Sequence, residues 1–338
     1  MSKWYLKEGK NSDLVFSSRI RLARNLKGFP FPNKMTDEQK YSVIQKVSDA
    51  IFKSELKDEY KFIDIDKISE IEAYSLVERH LVSPEFVSDT KGRALILKND
   101  ESLSIMINEE DHLRIQALYS GLNLKKSLEE ALKIEKVISS NNELSFDEQF
   151  GYLTACPTNL GTGLRASVMI HLPALEKLGV LDRIFNNISK MGVAIRGIFG
   201  EGSKPKSSMY QISNQVTLGI SEQKAIEIID SITNQLIEKE KEAIYAFERS
   251  NLEDDVFRAL GTLKFARKMS TEEMFKLISD VRLGVSVGII DIPIPVINEI
   301  VLKTGKAGIC LADNVTLDAD IRDSKRANYI RDRLSLYN

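Results

Sequence analysis

Cysteine and histidine are scarce in this chain of 338 residues, which holds two of the first and three of the second. Cys156 and Cys310 lack metal-site spacing and give no secreted disulfide framework. His80, His112 and His171 are too scattered to argue for zinc. No apolar run approaches the roughly 18 residues that a membrane helix needs, and the start, MSKWYLKEGKNSDLVF, has no signal-peptide core. An excess of positive charge is also missing. The chain has 47 lysines and arginines against 49 acids, a net charge of −2, so no basic field attracts nucleic acid or anionic lipid. These absences predict a soluble, cytoplasmic protein that works neither on nucleic acid nor at a membrane. No repeat or low-complexity segment is visible.

What is present is a globular composition, 43% hydrophobic and 28% charged, long enough for two domains. Apolar spacing predicts a helix after Thr36, with Thr36 and Gln39 as a capping box, and a second through SEIEAYSLVERHL. RALILK (93–98) and SLSIMI (102–107) read as strands joined by a short hairpin turn at Asn99, Asp100 and Glu101. Residues 124–138 read as helix, 164–172 as strand, 173–191 as one helix opening with proline, and 192–199 and 209–218 as strands. Residues 221–250 read as a long amphipathic helix with Ser221 as N-cap. Beyond it the pattern is helical. A boundary near residues 245–255 then divides 1–248 from 249–338. Strands and helices do not alternate strictly in the first part, so the expected class is α+β, a mainly antiparallel sheet flanked by helices, followed by an all-helical C-terminal domain.

Four segments carry candidate chemistry. In SSRIRLARN (17–25), an extended backbone puts Arg19 and Arg21 on one face, with Cα atoms about 7 Å apart, and Ile20 and Leu22 on the other. An edge strand with a solvated basic face would look the same. In INEEDHLRI (107–115) three adjacent acids either form a polar turn or handle a proton, a metal-bound water or a cationic substrate. In YLTACPTNLGTGLRASVMI (152–170) Cys156 precedes Pro157 and Thr158, and a GTG turn without a following Lys-Ser or Lys-Thr leads into a strand bearing Arg165, Ser167 and Met169 on one face. A buried structural cysteine is one reading of Cys156, and a reactive loop thiol is the other. In IRGIFGEGS (195–203) three glycines surround Glu201, which suits either an ordinary turn or a mobile loop carrying a carboxylate. Many arginines at strand ends fit a polyanion such as a nucleoside triphosphate, because guanidinium forks bind phosphate oxygens bidentately.

In this order and spacing, SSRIRLARN, NEEDHLR, CPTNLGTGLRASV and RGIFGEGS resemble the catalytic domain of the phosphagen (ATP:guanidino) kinases over roughly residues 14–245. The resemblance implies a glutamine-synthetase-like antiparallel sheet, ATP and Mg2+. It implies an ATP site made of Ser17, Ser18, Arg19, Ile20, Arg21, His80, Arg114, Arg165, Ala166, Ser167, Val168, Met169, Arg196, Gly197, Ile198, Phe199, Gly200 and Glu201. Within that site Arg19, Arg21, Arg114, Arg165 and Arg196 hold phosphate. It also makes Glu110 and Glu201 the carboxylates that orient and deprotonate a guanidinium, and Cys156 the cysteine beside it. Glu109 and Asp111 then tune magnesium-bound water or hold the segment.

Two departures narrow the resemblance. The helical domain that precedes the arginine motif in small-substrate members has no counterpart in the short stretch before Ser17, and a helical extension ending in DIRDSKRANYIRDRL follows instead. Met169 also stands where those members usually carry histidine. Both features resemble the bacterial protein-arginine kinases. That subgroup implies protein substrates with exposed arginines, tagging for proteolysis in a stress response, an activator protein, an AAA+ unfoldase–protease partner and a homodimer or larger assembly. It also implies a phosphoarginine pocket at Arg322, Asp323, Arg326 and Ala327 that regulates allosterically, although the pattern alone reads as a solvated surface helix. The competing expectations are a small-molecule guanidino kinase and an inactive phosphoarginine-binding adaptor.

Overall fold

The computed structural model describes residues 2–197, 207–313 and 315–337. Its strands are β1 (Val15–Arg24), β2 (Tyr60–Asp64), β3 (Ala94–Lys98), β4 (Leu103–Ile107), β5 (Leu113–Ser120), β6 (Phe146–Asp147), β7 (Gly151–Tyr152), β8 (Leu164–His171), β9 (Val193–Gly197) and β10 (Met209–Asn214). Its helices are α1 (Asp37–Phe52), α2 (Glu70–Glu78), α3 (Pro84–Ser88), α4 (Leu124–Ser139), α5 (Pro173–Lys177), α6 (Leu181–Ser189), α7 (Glu222–Ile244), α8 (Arg249–Phe265), α9 (Thr271–Ser286), α10 (Ile294–Lys303), α11 (Lys306–Leu311) and α12 (Ala319–Leu334).

Among the described residues, eight strands form one antiparallel sheet in the order β2-β3-β4-β5-β1-β8-β10-β9, and β6 and β7 make a separate small hairpin. One sheet face is apolar. Ile20, Leu22, Ile115, Leu164, Ala166, Val168 and Ile212 pack there against α1, α4 and α7. The other face carries a second apolar cluster, in which Phe16, Leu97, Met106 and Leu118 meet Trp4, Leu76, Phe86 and Leu302. A third cluster, from Val256 to Leu334, binds α8, α9, α10 and α12 together. The chain is thus α+β with a helical C-terminal region, as the sequence pattern predicts.

Local chemistry explains the boundaries. Thr36 and Ser69 cap α1 and α2 through complete capping boxes with Gln39 and Glu72, and Ser221 accepts from the Lys224 N–H at the start of α7. Several expectations need correction. The single helix expected over 173–191 is two, because Gly179, at φ +67°, turns the chain between α5 and α6. The strand expected over 209–218 ends at Asn214, and the helix expected over 221–250 ends at Ile244. The strand over 192–199 runs through Val193–Gly197, and its last two expected positions lie outside the described residues. The pattern did not single out β2 or β5. Most consequentially, β1 is no edge strand: it lies between β5 and β8 in the middle of the sheet.

Candidate active site

Register decides which arginines meet. Arg21 lies opposite Arg165 on β8 and Gln116 on β5, Arg19 opposite Ser167 and Leu118, and Ala23 opposite Arg114. Gln211 on β10 lies opposite both Met169 and Arg196. Directly opposed residues share a sheet face, so Arg19, Arg21, Arg114, Arg165 and Arg196 all project from the face that faces away from the main core. Like charges set opposite one another destabilise a sheet unless an anion lies between them.

The electrostatics agree with an anion site. Burial, followed by repulsion from Arg114 and Arg165, lowers the Arg19 guanidinium to about 10. Burial and repulsion from Arg19, Arg114 and Arg165 push Arg21 well down despite the attraction of Glu109. Arg165 is lowered by burial and then by Arg196 and Arg114. Arg19 is positioned by Ser167 Oγ, at 3.2 Å from its Nε, and by Gln211 Oε1, at 2.6 Å from its Nη2. The buried Nε atoms of Arg21 and Arg165 have no hydrogen-bond partner. A polyphosphate supplies the missing charge and acceptors, so these residues fit the triphosphate of ATP.

The alternation also divides the expected ATP segment. The Ile20, Ala166 and Val168 side chains lie in the apolar core, and Ser18 Oγ donates to Gly121 O (2.7 Å) while accepting from Asn123 N (2.8 Å). These four side chains shape the strands from the opposite face, so within the expected ATP segment they face away from the arginine row. Ser17, Arg19, His80, Ser167, Met169 and Gln211 surround one small cleft. His80 follows α2 at φ +59°, and burial beside Arg19 lowers its imidazole to about 4, so it is neutral there. Gln211 carries no motif signal. Only its place on β10 between Met209 and Ser213 could have marked it.

The acidic turn between β4 and β5 separates three carboxylates by role. Arg114 Nη1 lies 2.9 and 2.8 Å from the two Glu109 oxygens, and Ser83 donates to the same carboxylate. Asp111 Oδ1 accepts from Asn25 Nδ2 and from the Ala155 N–H, both at 2.7 Å, which ties the turn to the Cys156 loop. His112 Nδ1 accepts from Leu26 N (2.9 Å), so its Nε2–H donates to Pro30 O (2.8 Å). Only Glu110 is left exposed, with Arg114 Nη2 3.9 Å away. Partial desolvation of this still solvent-accessible carboxyl, and then Asp111, raise it above the usual range, opposed by Arg114 and by a hydrogen bond with Cys156.

Cys156 is half-buried, with Sγ 3.0 Å from Thr158 Oγ1. Its loop is pinned by close backbone contact: a Cβ on Gly161 would lie 2.3 Å from Thr217 O, and one on Gly163 2.7 Å from Ala23 O. Both glycines have positive φ, so the GTG turn needs glycine for conformation as well as space. Arg24, to which the sequence assigned no task, holds this loop from below. It is fully buried, bonds Glu135 (2.8 Å), Glu222 (3.3 Å) and Thr162 O (2.9 Å), and lies 3.5 Å over the Tyr152 ring. Gly197 ends β9, whereas Ile198, Phe199, Gly200 and Glu201 lie outside the described residues.

The expected phosphoarginine residues sit on α12. Arg326 is 1% exposed and donates to Thr304 O (2.8 Å), Met269 O (2.7 Å) and Asp323 Oδ1 (2.6 Å). Ala327 is buried, and Arg322 donates to Leu317 O. The pattern's alternative of a solvated surface helix is therefore incorrect at Arg326.

Among the described residues no group of His, Cys, Asp and Glu is placed to hold a metal, and no helix is long and apolar enough to cross a membrane.

The profile of the ATP:guanido phosphotransferase C-terminal catalytic domain matches residues 42–243, and that of the Protein-arginine kinase McsB C-terminal domain matches 249–338. A protein-arginine kinase of Caldanaerobacter subterraneus subsp. tengcongensis is 43% identical, covering 96% of this chain and 98% of its own. Those of Clostridium acetobutylicum and Bacillus subtilis are each 42% identical, over 99% of this chain and 100% and 94% of theirs. Among solved structures, a lombricine kinase aligns with a TM-score of 0.63 at 25% identity, covering 73% of each chain. A duplicated taurocyamine kinase from Schistosoma mansoni shares the fold, with a TM-score of 0.61 at 24% identity over 77% of this chain and 40% of its own. The arginine face, the exposed carboxylate beside a cysteine and the helical C-terminal region thus occur in a chain that belongs to the protein-arginine kinase family of ATP:guanido phosphotransferases.

Proposed function

We propose that this protein transfers the γ-phosphoryl group of ATP to the guanidinium of arginine side chains in proteins. The observation that carries the reading is the row formed by Arg21 and Arg165, two opposed guanidinium groups with unpartnered Nε atoms, beside the Glu110–Cys156 pair. The arginines hold the phosphates and neutralise charge on the transferring group. A guanidinium is protonated at neutral pH and is a poor nucleophile, so one nitrogen must lose a proton as it meets phosphorus in line. Glu110 holds the guanidinium and takes that proton, with the Cys156 sulfur beside the same group. Glu201 is assigned as the second carboxylate. Magnesium, when bound, offsets phosphate charge. It would be held by the nucleotide's own oxygens, because the Glu109 carboxylate is already engaged by Arg114 and Ser83 and keeps at most a role through water.

In the regulatory part of the proposal, Arg322 and Asp323 meet a phosphoarginine, while Arg326, committed to two backbone carbonyls, positions Asp323. By family likeness the proposal extends to a cytoplasmic dimer or larger assembly that marks proteins for an unfoldase–protease with an activator. The test is incubation with ATP, Mg2+, an unfolded protein and free arginine, followed by acid-free mass spectrometry that preserves the P–N bond. Phosphate on protein arginine is expected. Phosphate on free arginine alone would favour the small-molecule reading, and none on either would favour the adaptor.

A further inference from the structure

Strand order brings several strand ends together at one end of the sheet. Ile107 at the end of β4 pairs with Leu113 at the start of β5, and Leu113 lies opposite Arg24 at the end of β1. Leu164 at the start of β8 lies opposite Leu22, and Asn214 at the end of β10 lies opposite Val193 at the start of β9. This end of the sheet therefore carries, in a row, the acidic turn with Glu110, the Cys156 loop, residues 215–218 and the turn at Met191 and Gly192. Glu110 and Cys156 make it the end that receives the acceptor guanidinium.

Beside the Cys156 loop this end is apolar and open. Leu218 is 49% exposed, Val216 47% and Met191 60%. The backbone that carries them is fixed. Thr217, between Val216 and Leu218, is buried, with Oγ1 2.7 Å from Leu160 O and 3.0 Å from Thr158 O. Thr217 O accepts from Thr162 N (3.0 Å), Asn214 Nδ2 donates to Val216 O (3.0 Å), and Gln215 N donates to Gly192 O (2.9 Å). A Cβ on Gly161 would lie 2.8 Å from the Leu218 Cα, and one on Gly192 3.1 Å from Val216 Cγ2. The strip thus abuts the GTG turn on one side and the Met191 turn on the other. With Thr217 turned inward, its two apolar neighbours are left facing solvent. Apolar side chains exposed singly need no explanation, whereas a group of them at the edge of a site marks an interaction surface.

The reaction says what covers this strip. An acceptor arginine in a protein brings its own chain with it, and that chain has to leave the Glu110–Cys156 pair across the neighbouring surface. We propose that Leu218, Val216 and Met191 form a docking lip for the substrate polypeptide and favour arginines that have a large apolar residue about four positions away. From β5, next to Glu110, to β10 is three strand spacings, about 14 Å, which an extended chain rising about 3.3 Å per residue crosses in about four residues. The inference rests on the protein-arginine reading above and adds to it which chains are favoured. Folded proteins bury their large apolar residues, so the lip selects arginines in unfolded segments, and free arginine gains nothing from it.

Steady-state kinetics of the full-length protein with MgATP and two disordered peptides, each holding a single arginine, test the lip. One peptide carries leucine about four positions to either side of the arginine, and the other carries serine at both places. The wild type is expected to favour the leucine peptide about fivefold in kcat/KM, chiefly through KM, as covering a few tens of Å² of apolar surface would give. Leu218→Ser and Val216→Thr are each expected to cut that preference to about twofold or less and to leave the serine peptide reacting as with the wild type. Val216→Thr keeps the shape of the side chain, so the comparison stands even if Leu218→Ser fails to fold. Equal kcat/KM for both peptides with the wild type, an unchanged preference in the variants, or an equal loss on both peptides in a variant that melts as the wild type does, would overturn the proposal. A wild type that phosphorylates neither peptide, whether or not it accepts free arginine, would refute the protein-arginine reading itself.

Discussion

Replacing Arg21 by methionine should raise the stability of the free protein and abolish most of its response to nucleotide. The Arg21 guanidinium faces Arg165 across β1 and β8, leaves its Nε unpartnered, and is destabilised by burial and by three neighbouring arginines. Methionine keeps much of the length and removes the charge. Exchanging buried ionic groups for apolar ones of similar volume is neutral or stabilising by ~1–4 kcal/mol, and relief of repulsion places this case on the stabilising side. The nucleotide loses a charge-assisted fork, and hydrogen bonds to charged groups contribute ~1.5–3 kcal/mol each. Loss of two such bonds corresponds to at least a hundredfold in Kd. At a concentration of MgADP about 100 times the wild-type Kd, ligand stabilises the wild type by ~2.7 kcal/mol. After a hundredfold loss the same concentration stabilises the variant by only ~0.4 kcal/mol. Thermal melting with and without MgADP measures both quantities on one sample. A variant that melts below the wild type when free and gains the same shift with MgADP would refute the reasoning.

Glu110→Gln should retain MgADP binding and lose roughly 10²–10⁴-fold in kcat. Because the Glu110 carboxyl is raised and its ionised form is the acceptor, wild-type kcat should fall on acidification through a pKa above the ordinary glutamate range, as a pH–rate profile would reveal. Arg24→Met should strand Glu135 and Glu222 and cost ~3–5 kcal/mol in denaturant unfolding, with faster proteolysis around 152–163. Glu240, buried and accepting from Ala174 N and Leu175 N, has its carboxyl raised to about 7, chiefly by burial. A folded pKa above the unfolded value gives stability that is present below about 4.3 and lost as pH rises toward 7. Glu240→Gln should therefore flatten the fall in unfolding midpoint between pH 5 and pH 8, and an unchanged profile would discount the burial argument.

The sequence discloses the local devices more completely than the long-range ones. Capping residues, the 93–107 hairpin and the alternation on β8 are readable because each depends on neighbours within a few positions. The alternation of Arg19 and Arg21 is visible too, but the opposition of Arg21 to Arg165 depends on strand order, which no local pattern carries. That explains why β1 reads as well as an edge strand as a central one. The roles of Glu109, Glu110 and Asp111 are likewise indistinguishable in the string EED. Ser83, Asn25 and Ala155, all distant in sequence, occupy two of the three carboxylates and leave Glu110 exposed. Arg24 was opaque for the same reason, since its partners lie at 135, 162 and 222. The broken helix at Gly179 is a local signal that amphipathic periodicity on both sides overrode.

The arginine row draws on residues 19, 21, 114, 165 and 196, and its central strand β1 pairs with β5 across roughly 90–100 positions and with β8 across more than 140. Pairing of such sequence separation forms slowly, because the loops must close before the contacts contribute. A slip of one residue on β1 would turn Arg19 and Arg21 into the apolar core and Ile20 and Leu22 out of it. Phosphate binding is therefore a property the chain acquires only when its central strands have docked in register. During refolding, recovery of MgADP affinity should trail recovery of helical circular dichroism, which makes nucleotide binding a reporter of the final topological step.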